Sequence, residues 1–170
     1  LSEYAKLKNS DNLTPEQTSA LTEQIARAVI DQINLSSAYT EASLTVVSSK
    51  KEDLVSYINQ IVQKHNQAIG TASLLSNSQA GALFYKSLAN EITKIPVPDI
   101  VKSEHLTIAN EYYKLSEALN YVVKQREDPM LALAAATIYE KIAENIANIY
   151  GQLGTKLAGK GLIYENGTFK

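Results

Sequence analysis

Cysteine is absent from the 170-residue chain, which removes disulfides, thiol nucleophiles and cysteine-ligated zinc or iron–sulfur sites together. The absence suits an extracytoplasmic bacterial protein, where stray thiols mispair under oxidising conditions, although many cytosolic proteins of this size lack cysteine as well. Tryptophan is also absent, so aromatic character rests on ten tyrosines and two phenylalanines. Long apolar runs are missing: nothing approaches the roughly 18 apolar residues needed to span a bilayer. Lys and Arg number 16 against 18 Asp and Glu, for a net charge of −2. The basic residues are scattered, which leaves no electrostatic footprint for nucleic acid or anionic membrane. Methionine is missing from the start, which is Leu1; the expectation is a removed signal peptide, a removed N-terminal membrane anchor or a start chosen for expression.

What is present is ordinary globular composition, 45% hydrophobic and 20% charged, in a chain of single-domain length. The pattern predicts one all-α domain over 1–170, an antiparallel bundle of four to five long helices with a small C-terminal β-hairpin. Thr14-Pro15-Glu16-Gln17 combines an N-cap, a first-turn proline and a capping-box glutamine. Leu21, Ile25, Ala28, Gln32, Leu35, Tyr39, Ala42 and Val46 then follow at spacings of three and four, which predicts a first helix over about 15–47. Ser49 with Glu52 reads as a second capping box. It opens a helix over about 50–69 with its seam on Leu54, Ile58, Ile61, His65 and Ala68, and Gly70 is placed to stop it.

A third helix is predicted over about 79–94 from Leu83, Phe84, Leu88 and Ile92. It ends at Pro96-Val97-Pro98, an extended and stiff connector. Val101, His105, Ile108, Tyr112, Leu115, Leu119 and Val122 give the fourth helix, about 99–127. Asp128-Pro129 caps the fifth, about 129–153, which Gly154 is placed to stop. In the tail, Asn166-Gly167 between β-prone pairs predicts a hairpin over about 162–170, with Tyr164 or Phe169 resting on the bundle.

Candidate chemistry is sparse. His65 and His105 both occupy seam positions and point inward, but neither helix offers the Glu-x-x-His pattern of a bundle metal site. They read as core histidines hydrogen-bonded to tyrosine, asparagine or a carbonyl. Tyr112 and Tyr139 lie on or beside buried faces, where tyrosine fills wide gaps between helices. His65, His105, Tyr112 and Tyr139 are therefore the candidates for lining an internal pocket, if there is one. The acidic pairs Glu52-Asp53 and Glu127-Asp128 sit at helix starts and suit the macrodipole. The glycines at 151, 154, 159 and 161 lack the spacing of a phosphate loop. No catalytic residue, metal ligand or cofactor is expected.

Ile95-Pro96-Val97-Pro98, His105, Asn110, Tyr113 and Leu119, followed by Asp128-Pro129 with Ala132 and Tyr139, form a pattern over roughly the C-terminal half. It resembles one in uncharacterised helical proteins of candidate-phyla bacteria. The resemblance implies an exported domain behind a single N-terminal membrane anchor, and no functional residue carries over from it. The expected function is a non-enzymatic structural or protein-interaction bundle, extracytoplasmic or at the cell surface. Its partner is a protein or a second copy, not nucleic acid, and membrane contact runs only through an anchor. The alternative is a small-molecule-binding or sensory bundle, which predicts an internal cavity lined by tyrosines around the two histidines. A filled core counts against that alternative. An enzyme or haem or metal protein using the histidines ranks third.

Overall fold

The computed structural model describes residues 14–17, 20, 24, 29–72, 77–124, 127–165 and 167–170. The chain is an all-α bundle with a small C-terminal hairpin. Four long helices are described: α1 (Lys51–Ala72), α2 (Ser78–Ile92), α3 (Lys102–Val123) and α4 (Pro129–Ala158). Helical residues at 15–17, 20, 24 and 29–30 precede them. The predicted capping box at the start is present: the Gln17 amide donates to Thr14 Oγ1 at 3.3 Å and the Thr14 amide to Gln17 Oε1 at 3.0 Å. Among the described residues, no helix is long and apolar enough to cross a membrane.

Side-chain pairings fix the helix directions. Tyr85 of α2 stacks near Tyr112 of α3, while Ile92 lies against His105, so the two helices run antiparallel. Glu104 of α3 pairs with Lys156 of α4, while Tyr112 lies near Tyr150, which makes α4 antiparallel to α3. Tyr57 and His65 of α1 meet His105 and Tyr112 of α3 in the same order, so α1 and α3 are parallel across the bundle. This is up-down-up-down topology. Apolar residues Ile58, Ile61, Leu88, Ile92, Ile108, Leu115, Leu153 and Leu157 fill the shared interior. The most central helix is α3, with Ile108, Ala109, Asn110, Glu111, Tyr112 and Ser116 all buried, a nearly complete circuit of its surface.

The first predicted helix is the main correction. Helix ends early, and residues 33–50 hold no helix apart from a single 3₁₀ turn at Glu41–Ser43, flanked by the extended backbone of Thr40 and Leu44. Serine, threonine and β-branched residues dominate this stretch, and their side chains compete for the backbone or lose rotamer freedom in a helix. The apparent seam therefore splits. Leu35 and Tyr39 turn inward as predicted, but Ala42 and Val46 face solvent while Leu44 and Val47 turn in. Strand β1 (Val46–Val47) pairs in parallel with β2 (Val97–Pro98), the predicted stiff connector. Ser49 does not close its predicted box; its hydroxyl accepts from the Ile100 amide at 3.3 Å.

Helix boundaries move for local reasons. Gly70 lies within α1, which continues to Ala72. The Asn77 side chain accepts from the Ala80 amide at 2.9 Å and starts α2 one residue early. The predicted fourth helix begins as a 3₁₀ turn, Asp99–Val101, and ends at Val123, short of 127. Asp128 caps α4 as predicted, accepting from the Leu131 amide at 3.0 Å. Gly154 does not stop that helix, because buried Leu153 and Leu157 carry its apolar face onward to Ala158. The hairpin is present as β3 (Tyr164–Glu165) and β4 (Thr168–Phe169), antiparallel, with Gly167 at φ +83° in its turn. A left-handed residue there is what a two-residue hairpin turn requires. Phe169 packs on the bundle, and Asn59 of α1 binds its backbone at both ends: its Oδ1 accepts from the amide at 3.0 Å and its Nδ2 donates to the carbonyl at 3.3 Å.

Candidate functional site: the tyrosine–histidine interior

All four candidate residues reach one aromatic interior. His105 is fully buried, and its Nδ1 lies 3.3 Å from the Tyr57 hydroxyl. Burial lowers the imidazole to about 4, with the Ile92 backbone acting weakly in the opposite direction. The ring is therefore neutral near pH 7. Burial also pushes Tyr57 far upward, reinforced by the Glu104 carboxylate, so its hydroxyl keeps its proton, and the imidazole tautomer sets which of the two groups donates. His105 Nε2 makes no hydrogen bond of good geometry.

His65 is half-buried and repeats the arrangement one level along. Its Nδ1 is 3.0 Å from the Tyr112 hydroxyl, and its ring lies 4.1 Å from the ring of Tyr150. Burial lowers its pKa as well. Burial raises Tyr112 to about 12. It also drives Tyr150 well above the usual phenol range, with Tyr112 adding electrostatically. The two hydroxyls are thus neighbours, yet that of Tyr150 is left without a well-formed hydrogen bond. Tyr85 joins Tyr112 to Tyr139: its ring stacks 6.1 Å from that of Tyr112, and its hydroxyl bonds that of Tyr139 at 3.0 Å.

The two histidines do not meet. His105 stands level with Tyr57 and His65 level with Tyr112, a separation of about 11 Å along α3 at the usual helical rise. Each imidazole faces tyrosine, and among the described residues no group of three or more His, Asp or Glu could hold a metal ion. Each imidazole spends its Nδ1 on a tyrosine hydroxyl, and His105 is fully buried. Two open clefts lie on the surface instead. One of about 130 Å³ borders Asn34, Glu117 and Lys124, and one of about 520 Å³ between α3 and α4 borders Glu111, Lys141 and Asn145. None of the four candidates lines either cleft.

Sequence reasoning missed Tyr57 and Tyr85, which share faces with the Leu54–Ile61 and Leu88–Ile92 seams and were legible by helical phase. It also missed Asn59 and Asn110 as backbone-binding amides, for which spacing gives no signal. Comparison of the chain with protein-family models, with curated proteins and with solved structures finds no match.

Proposed function

We propose that the chain is a non-enzymatic, protein-binding helical bundle, displayed outside the cytoplasmic membrane as part of an exported or membrane-anchored bacterial protein. The observation that carries the binding role is a contrast between inside and outside. The inward polar side chains are largely spent on one another, as in Tyr57–His105, His65–Tyr112 and Tyr85–Tyr139. Large apolar side chains meanwhile stand in solvent: Leu83 is 66% exposed, Leu133 63% and Ile163 67%. Leu83, which the spacing places on the apolar seam of α2, and Leu133 both lie on helix faces turned from the core, where a solvated helix favours polar residues. The extracytoplasmic placement draws support from the absence of cysteine and from the resemblance to exported helical proteins.

Crosslinking of the intact chain in its own cells, followed by mass determination of the adducts, tests this reading. Leu83→Glu and Leu133→Glu are expected to leave the fold intact and remove a discrete crosslinked partner. A parent chain that forms no discrete adduct, or adducts indifferent to both substitutions, would count against it. A low-molecular-weight species retained in native mass spectrometry would instead favour the small-molecule-binding alternative.

A further inference from the structure

Residues 33–50 lie as a strap along the outer face of α3, and none of them is buried. The strap runs antiparallel to the helix. Its backbone is held mainly by side chains. The Ser36 amide donates to Glu117 Oε2 at 2.8 Å, and the Tyr39 amide to Asn110 Oδ1 at 2.9 Å. Asn110 Nδ2 donates back to the Tyr39 carbonyl at 3.1 Å. Farther on, Glu41 pairs with Lys102 at 3.0 Å and the Val97 amide donates to the Thr45 carbonyl at 2.9 Å. Leu35, Tyr39 and Leu44 are its half-buried anchors.

The spacing explains why a helix can grip an extended chain. Asn110 and Glu117 are seven residues apart, two turns on one helix face, and span roughly 10 Å. Three residues of extended chain, from Ser36 to Tyr39, span about the same distance. Two polar side chains two turns apart thus meet the backbone of two strap residues three positions apart. The helix face recognises an extended backbone with apolar anchors, and no contact in it depends on the strap belonging to the same chain.

We infer that this face of α3 is an extended-peptide docking site, occupied in cis by the chain's own strap and able to take the strap of a second copy. The inference rests on the protein-binding reading and names its partner. The second copy is the occupant because its segment carries the same anchors at the same spacing. Exchange is favoured by the strap's shallow burial and by its connection to α1 through only Ser48, Ser49 and Lys50.

A fluorescein-labelled synthetic peptide of residues 31–47, titrated into the intact protein and read by fluorescence polarisation, tests the site. In the parent the tethered strap competes. Tyr39→Ala loosens that strap without touching the docking face and is expected to raise peptide affinity at least tenfold. Adding Asn110→Ala is expected to remove the gain. If circular dichroism shows that Tyr39→Ala has lost its helices, Ser36→Pro carries the same test by deleting the donor to Glu117. No binding to a folded strap-loosened variant, or binding indifferent to Asn110→Ala, overturns the site. Sedimentation of the parent after refolding at high concentration is expected to show a dimer that Asn110→Ala abolishes. Peptide binding with a monomer at every concentration overturns the second copy as occupant. These measurements use purified protein and stand apart from crosslinking at Leu83 and Leu133, so either reading can fail alone.

Discussion

The side-chain amide of Asn110 closes a ring of two hydrogen bonds on the main chain of Tyr39, accepting at 2.9 Å and donating at 3.1 Å. In effect the amide imitates the edge of a neighbouring strand. Asn59 repeats the device on Phe169. The strap and the C-terminal hairpin are thus each fastened to a helix by an asparagine.

Asn110→Ala leaves the amide and carbonyl of Tyr39 without these partners in a partly buried place, at an expected cost of about 1–3 kcal/mol. Urea unfolding gives the number, and hydrogen exchange gives the location: the Tyr39 amide is expected to lose protection while α2 keeps its own. An unchanged midpoint and unchanged exchange would show that the clamp contributes nothing.

Tyr57 of α1 and Tyr150 of α4 are expected to respond in opposite ways to losing their hydroxyls. Tyr57 bonds His105, so Tyr57→Phe strands a buried imidazole nitrogen and is expected to destabilise by about 1–3 kcal/mol. The buried hydroxyl of Tyr150 lacks a well-formed bond, so Tyr150→Phe is expected to be neutral or stabilising. Thermal denaturation of both variants decides the matter, and equal losses would mean that Tyr150 has a partner in solution.

Acid is expected to weaken the fold through the histidines. His105 has its pKa lowered from 6.5 to about 4 by burial, so between these values the unfolded chain binds the extra proton. Its stabilisation is complete above pH 6.5 and falls away as pH drops toward 4, by about 3 kcal/mol. His65, lowered by the same cause, acts in the same direction. Unfolding midpoints measured from pH 8 to pH 4 should slope less in His105→Gln than in the parent, and identical slopes would remove His105 from the account.

At the α4 start, Asp128→Ala frees the Leu131 amide that the carboxylate now accepts from. The expected loss is about 1 kcal/mol. Asp128→Asn and Asp128→Ser, which retain a capping oxygen, should restore most of it in the same thermal assay.

Apolar spacing made α1 through α4 legible, because each buries a continuous stripe against the others. The same spacing misled over 33–47, where Leu35 and Tyr39 satisfy a helical period and an extended chain equally well. Only the Ser, Thr and Val content distinguished the two. Glycine was weighted too heavily: Gly70 and Gly154 have open space where a Cβ would stand and interrupt nothing. Among the site residues, inward placement of His65, His105, Tyr112 and Tyr139 followed from phase alone. Their pairing did not, since it depends on which residues of parallel α1 and α3 stand level, a property of three dimensions. The asparagine clamps lay beyond reach for the same reason, bridging 71 and 110 residues of sequence.

That last separation bears on how the molecule is made. Asn59 leaves the ribosome 110 residues ahead of Phe169, so its side-chain amide must wait through synthesis of the rest of the bundle before its partner exists. The α2–α3 and α3–α4 pairs, joined by short connections, can form meanwhile from contacts near in sequence, whereas a closure of this length is slow on topological grounds. The hairpin clamp is thus expected to close after the helices have paired, and a nascent chain halted before Phe169 is expected to leave Asn59 bonded to water.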